Sequence, residues 1–368
     1  MTTPNTISFE ANTLLGRYAT PVKLAATDEV EQSIELANGW NWMSLGVKPE
    51  TFTVENVFAK ANGKVEFVKS NTDSDEFADG EWVFGTMEMN NREMYAVQTN
   101  DALTLNVTGH RVKQAEEPIT VKNGWSWVAF NPLSVMSLGD ALADMQPQND
   151  EIIKGQRGVA YYENYEWSGS LRQLSPGQGY KIFGKEARTF TYPTTTAAAA
   201  PARQLSTVNC QLSTVFTPVD YHNYPANMVV IAQVVNGSEP VADAEVGIFA
   251  GEECREAAVT DDRGMIYVTV PGDEPTPLHF IIATDDQTLE AAETVTYETD
   301  AVCGTPRAPF VIDLGNATAI DGVQLSTVNS QLSTVYDLQG RRINSELMKS
   351  SNRQMKGVYI INGQKKVK

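Results

Sequence analysis

The side chains best placed to do chemistry in this chain are an acidic loop, two tryptophan pairs, three histidines and two cysteines. Asn71, Asp73, Asp75 and Asp79 have the 1, 3, 5, 9 spacing of a calcium loop, in which alternating oxygens converge on one hard cation. Position 6 of such a loop is Glu76 here, where the turn needs glycine, and position 12 is Trp82, where a bidentate carboxylate belongs; we read a solvated acidic loop. His110, His222 and His279 lie in different stretches, none with a second His or Cys at metal-ligand spacing. G-x-S-x-G, H-E-x-x-H and phosphate-binding glycine loops are all missing from the sequence. We therefore expect no catalysis, no metal and no cofactor. Trp40 and Trp42, like Trp125 and Trp127, stand two residues apart and would share one face of a strand. Such a pair either stacks on sugar rings or fills the core of a small domain. Cys254 and Cys303 fall in one module; they either pair in an oxidising compartment or stand as two buried thiols, and Cys210 is expected to be unpaired.

The elements that must position these residues belong to more than one domain. A chain of 368 residues, at roughly 150 per domain, predicts two or three. Hydrophobic residues make up 42%, enough for each to bury a core without a metal. Against 28 Lys+Arg stand 46 Asp+Glu, and the net charge of -18 repels nucleic acid and anionic headgroups alike. The longest apolar run, residues 228–235, is interrupted by Gln233 and is far shorter than the ~20 residues of a membrane helix, so no membrane span is expected.

Internal repeats set the organisation. Asn38-Gly39-Trp40-Asn41-Trp42 returns as Asn123-Gly124-Trp125-Ser126-Trp127, an offset of 85 that also relates Glu66 to Glu151, Lys69 to Lys154, Glu81-Trp82 to Glu166-Trp167 and Tyr95 to Tyr180. Residues 35–107 and 120–192 are thus read as two tandem small α+β repeats. In the second, Ser137 and Asp140 have capping-box spacing before Leu138, Ala141, Leu142 and Met145, a short amphipathic helix; Val54, Val57, Phe58 and Ala61 predict its counterpart. Residues 193–215 are a linker that contains the insert QLSTVNCQLSTV, and 315–335 a second linker with the same dodecamer carrying Ser330 in place of Cys210. Between them, 216–314 holds five strand candidates separated by turn signals, the pattern of an immunoglobulin-like β-sandwich, with His279 as a half-buried strand residue. Residues 7–24 align without gaps on 295–312, matching Phe9 to Tyr297, Glu10 to Glu298, Gly16 to Gly304 and Pro21 to Pro309. From this, and from an opening without a basic region followed by an apolar stretch, we expect 1–24 to be the remnant of an upstream β module, lacking a complete sheet of its own. The fold class is multidomain and mainly β, closed by a short β tail at 336–368.

Three resemblances give this organisation a setting. The two repeats resemble a repeat of bacterial surface proteins that reads GWN-W/L-x-S-L, a short helix, a tryptophan and L-x-P-G-x-G-Y; the second copy keeps Leu174, Pro176, Gly177, Gly179 and Tyr180, and the first loses the Pro-Gly turn at 89–94. YPANMVVIAQV and VGIFAGEECREAA, with Gly251, Cys254 and Arg255, resemble a surface module of Gram-negative bacteria. Tyr336, Asp337, Leu338, Gly340 and Arg341, followed by Gly357, Tyr359 and Gly363 among lysines, resemble the C-terminal sorting domain of the type IX secretion system. The resemblance implies a secreted or cell-surface location, the type IX machinery as partner, and a structural or adhesive role toward a surface glycan or host protein. The rival reading is a carbohydrate-binding accessory region of an exported glycan-degrading enzyme whose catalytic domain is expected upstream, with Trp40, Trp42, Trp125 and Trp127 as glycan contacts.

Overall fold

A computed structural model of the chain describes residues 6–13, 16–23, 28–61, 63–194 and 215–320, with four short strands beyond them. The protein is mainly β, built from several antiparallel sheets, and the described residues contain two short α-helices. It divides into two compact units, Met1–Ala319 and Ile320–Lys368.

Within the larger unit, two five-stranded sheets are built alike. The first runs in the order Gly39–Met43, Tyr95–Thr99, Val65–Lys69, Ser74–Ala78, Glu81–Trp82; the second runs Gly124–Ala129, Gly179–Gly184, Ile152–Lys154, Val159–Glu163, Glu166–Gly169. Their register also agrees at the offset of 85: Trp40 opposes Gln98 as Trp125 opposes Phe183, and Phe77 opposes Trp82 as Tyr162 opposes Trp167. Polar details repeat as well. The Asn41 Oδ1 accepts from the Ala37 amide at 2.8 Å, and Ser126 Oγ accepts from the Lys122 amide at the same distance. Tyr95 and Tyr180 each accept a 2.8 Å bond from an amide five residues back, Asn90 and Ser175, although only the second copy has the Pro-Gly turn. A buried hydroxyl needs a partner, and a backbone amide supplies one whatever the loop sequence.

The helical expectation is met for one turn only. Thr53 caps Val54–Val57 and Ser137 caps Leu138–Ala141, each side chain accepting from the amide three residues on. Val54, Val57, Phe58 and Ala61, and Leu138, Ala141, Leu142 and Met145, are all buried. Beyond Leu142 the bonds shorten to i→i−3, Gln146 enters the left-handed region at φ 50, and Pro147 follows, so the second helix stops where the apolar pattern still continues. Asp75, expected in a solvated loop, is buried: its carboxylate accepts from the amides of Glu76, Phe84 and Gly85 and so holds the 82–85 turn.

Residues 215–319 form two sheets facing across one core. One contains Ala226–Asn236, flanked by Met265–Gly272 and, in parallel, by Val302–Cys303 and Phe310–Asp313; the other runs Glu253–Val259, Glu245–Ala250, Thr276–Ala283, Thr288–Tyr297, Thr318–Ala319. Met228, Val230, Ala232 and Val234 point into that core with Ile248, Val268 and Phe280. His279 is half-buried and stacks on Phe249. The candidate disulfide is not formed. Cys254 and Cys303 are free, standing on opposite sheets, Cys254 clustered with Phe216, Ala257 and Ala283 and Cys303 packed against the central core. Burial pushes the Cys254 thiol up to about 12, which keeps it protonated.

Thr6–Thr13 and Gly16–Lys23 form a two-stranded antiparallel hairpin, Thr13 opposite Gly16. The aligned downstream segment pairs otherwise: Thr288–Tyr297 joins one sheet, whereas Val302–Cys303 and Phe310–Asp313 join the other. The two segments are thus not built on one plan, since the downstream strands find the long strand Ala226–Asn236 as partner and the hairpin strands pair with each other. The smaller unit is a four-stranded sheet of Arg342–Ile343, Val335–Tyr336, Val358–Ile361 and Gln364–Val367. Tyr336 and Tyr359 lie in these strands; Asp337, Leu338, Gly340, Arg341, Gly357 and Gly363 lie outside the described residues, as do Cys210 and nearly all of both inserts.

Candidate functional site

The tryptophans that begin both sheets meet where three parts of the chain come together. Trp42 is 2% exposed and clusters with Met94 and Ala96, with half-buried Trp40 and Trp127 against them. Its indole N–H donates to the Pro225 carbonyl at 3.0 Å, and that of Trp125 donates to the Asp300 carbonyl at 2.7 Å. All four rings are engaged inside the molecule, Trp40 edge-on to Phe67 and Trp125 edge-on to Phe183. These contacts commit the rings to neighbours within the chain: Trp42 is buried, and Trp40, Trp125 and Trp127 are half-buried. They also do more than fill the cores of their own repeats, since they pack between them.

At the centre stand two lysines missed by motif reasoning. Lys154 and Lys181 oppose each other directly on neighbouring strands, an arrangement of like charges that is destabilising by itself. Asp300 resolves it. Its carboxylate lies 2.8 Å from the Lys154 ammonium and accepts from Lys181 at 2.8 and 2.9 Å. The side chain of Lys154 is 0% exposed, that of Lys181 2%, and that of Asp300 23%. With both amines protonated, two ammonium groups against one carboxylate leave a surplus positive charge, and the aromatic rings face it. Lys181 sits 4.8 Å from the Trp42 ring and 4.6 Å from Trp127, one ring from each repeat, and Lys154 sits 4.5 Å from Trp125. Lys154 also donates to the Asn227 carbonyl at 2.9 Å.

Burial is the largest influence on all three groups. It pulls Lys154 down to about 7, Asp300 acting in the opposite direction and Lys181 adding to the fall. Lys181 is likewise lowered by burial against the pull of Asp300. For Asp300 burial acts upward, but the two ammonium groups outweigh it and hold the carboxyl below its ordinary value.

The contacts around this cluster join three bodies. Between the two repeats, the Trp42 amide donates to Gln156 Oε1 at 3.0 Å, Gln156 Nε2 donates to the Trp40 carbonyl at 2.6 Å, and Ser44 Oγ donates to the Gln178 carbonyl at 2.7 Å. Between the second repeat and residues 215–319, Asn227 Nδ2 donates to the carbonyls of Gly155 and Gln156, Gly158 donates to Thr269 Oγ1 at 3.0 Å, and Arg157 pairs with Glu256 at 3.1 Å. Ile152, Val159 and Tyr161 pack there on Val229, Ile231 and Met265. Gly39 makes the remaining approach: a side chain at this position, φ +96, would lie 2.4 Å from the His222 carbonyl oxygen, whereas its counterpart Gly124 faces open space.

Chemically this is a clamp. Its amines and carboxylate are consumed by bonds within the chain. One signal of it stood in the sequence. The run 228–235 is apolar at nearly every position because its even residues enter the core of 215–319 and Val229 and Ile231 enter the junction, the pattern of a strand buried on both faces. Lys154 and Lys181 inside strands, with apolar neighbours, were the other. Among the described residues, no group of His, Cys, Asp and Glu is arranged to hold a metal ion. No helix of the described residues is long and apolar enough to cross a membrane. Comparison with protein families, with characterised proteins and with solved structures finds no match to this chain.

Proposed function

We propose that the chain is a non-catalytic structural or adhesive region of an exported cell-surface protein: two tandem α+β repeats, an immunoglobulin-like sandwich and a tail that directs type IX secretion. The observation that carries the structural half is the buried junction of Trp42, Trp127, Lys154, Lys181 and Asp300. A region that displays something at a distance from a cell must transmit position, and modules clamped through a buried ionic and aromatic core do so better than modules on free linkers. The net charge of -18 suits a soluble surface segment that avoids anionic lipid. Support for export comes from the tail sequence Tyr336 to Arg341 with Gly357, Tyr359 and Gly363.

The test separates folding from export. In a host with the type IX system, a signal-peptide-bearing chain should reach the surface or medium, and the same chain without residues 335–368 should fold and stay in the periplasm. Equal delivery of both contradicts the sorting role of the tail.

A further inference from the structure

We propose that the second repeat binds a neutral glycan in a groove walled by Tyr162, Tyr165 and Trp167. This gives the adhesive reading above a ligand class and rests on it only for its setting at a cell surface.

Three observations converge on the groove. It has a volume of about 650 Å³, within the ~300–1,000 Å³ of small-molecule sites, and lies beside the hairpin tip Asn164-Tyr165. Trp167 packs on the core of the repeat with part of its surface and lines the groove with the remainder, its ring centroid 5.0 Å from that of Tyr162. Tyr165 is 93% exposed, the most exposed large hydrophobic side chain among the described residues.

The position of Tyr165 is the most telling of these. At φ 68 it occupies the left-handed region, which costs a side chain free energy that glycine avoids. The equivalent residue of the first repeat, 85 positions earlier, is Gly80 at φ 90, following Asp79 at φ 54 as Tyr165 follows Asn164 at φ 52. The same turn is thus built once with the residue that suits it and once with a strained aromatic ring held out in water. Packing within the chain does not explain that choice, because the ring is almost wholly exposed; a ligand that stacks on it does.

The polar lining selects the ligand. Arg172 and Gln146 supply donors, Glu166 and Gln146 supply acceptors, and all three side chains are exposed beside the rings. Sugar hydroxyls both donate and accept, and the apolar faces of a pyranose stack on aromatic rings. A strongly acidic polymer is disfavoured by the net charge of -18.

The full chain is titrated, by tryptophan fluorescence and by calorimetry, with oligosaccharides of glucose, galactose, mannose and N-acetylglucosamine, and with hyaluronan as the acidic polymer. At least one neutral oligosaccharide should bind, and Tyr165→Gly should weaken it at least about tenfold while leaving the melting temperature unchanged or raised. Arg172→Ala should weaken the same sugar by a smaller factor. The glycine variant restores the turn of the first repeat, so its loss of binding does not reflect unfolding. Failure of every neutral sugar to bind at ~10 mM, equal binding by Tyr165→Gly, or preference for hyaluronan overturns the proposal. Export is scored by location rather than by titration, so such a failure leaves the display reading standing.

Discussion

The two repeats share strand order, register and even the amide that each buried tyrosine engages, yet one carries a buried charged cluster and the other does not. Lys69, the counterpart of Lys154, is exposed, and Ala96 stands where the second repeat has Lys181. The scaffold is therefore constant, and what differs is the surface that its outer face meets. Where the second sheet lies against residues 215–319, an opposing lysine pair becomes tolerable because Asp300 arrives from the partner sheet system. A like-charge pair read on one sheet alone would count as a defect. With the third body in place it becomes a lock.

The strongest way to break this comparison is to remove the counter-charge. Below pH 7, where Lys154 is protonated, Asp300→Ala leaves the two buried amines without their counter-charge and should cost about 3–5 kcal/mol in chemical denaturation, whereas Lys69→Ala in the exposed counterpart should stay within about 0.5 kcal/mol. Replacing the whole cluster, Lys154→Met with Lys181→Met and Asp300→Asn, should be roughly neutral or stabilising by about 1–4 kcal/mol, because the desolvation cost goes with the charges. The tryptophans sharpen the contrast in a second way: Trp42→Ala should cost about 3–5 kcal/mol and half-buried Trp40→Ala clearly less.

How much of this was legible in the sequence depends on whether a residue's role is local. The offset of 85, the capping residue Ser137 and the strands around Trp40 and Trp125 follow from periodicity and turn chemistry; Ser137 caps Leu138–Ala141, and Trp40 and Trp125 lie in strands. The apolar spacing over 138–145 overstates the helix, because the burial of Leu142 and Met145 imitates helical spacing after the helix has ended at Ala141. Asp75 reads as solvated, since nothing local says that its carboxylate will collect, besides the adjacent Glu76 amide, two more from a turn nine and ten residues on. The junction was the hardest part. Lys154, Lys181 and Asp300 are each unremarkable in sequence, and their meaning arises only when segments 119 and 146 residues from Asp300 fold against it. Cys254 and Cys303 share a module but not a packing cluster, Cys254 lying with Phe216, Ala257 and Ala283 and Cys303 against the central core, and membership of one module does not by itself bring two thiols together.

Two smaller effects refine the comparison. With a folded value of about 7 and an ordinary unfolded value near 10.4, Lys154 is deprotonated in the folded chain and protonated in the unfolded chain between those limits. The unfolded state then binds more protons, so stability should rise with pH from about 7 to 10, by at most about 1.4 kcal/mol per pH unit from this residue, and show no slope from it below 7. Urea titrations of the protein and of Lys154→Met across that range isolate the contribution, which the variant should lack. The smallest effect lies at the hairpin tips. Tyr165→Gly should stabilise and Gly80→Tyr should destabilise, each by about 1 kcal/mol, as the strained ring is removed from one repeat or installed in the other.

Scanning calorimetry of the full chain tests the clamp most directly. The account predicts that the two repeats and residues 215–319 unfold in one cooperative transition, and that Asp300→Ala lowers it and splits the unfolding of the repeats from that of 215–319. Independent transitions in the unaltered protein, or a single unshifted transition in Asp300→Ala, would contradict the claim that the buried lysine pair and its carboxylate hold the three bodies together.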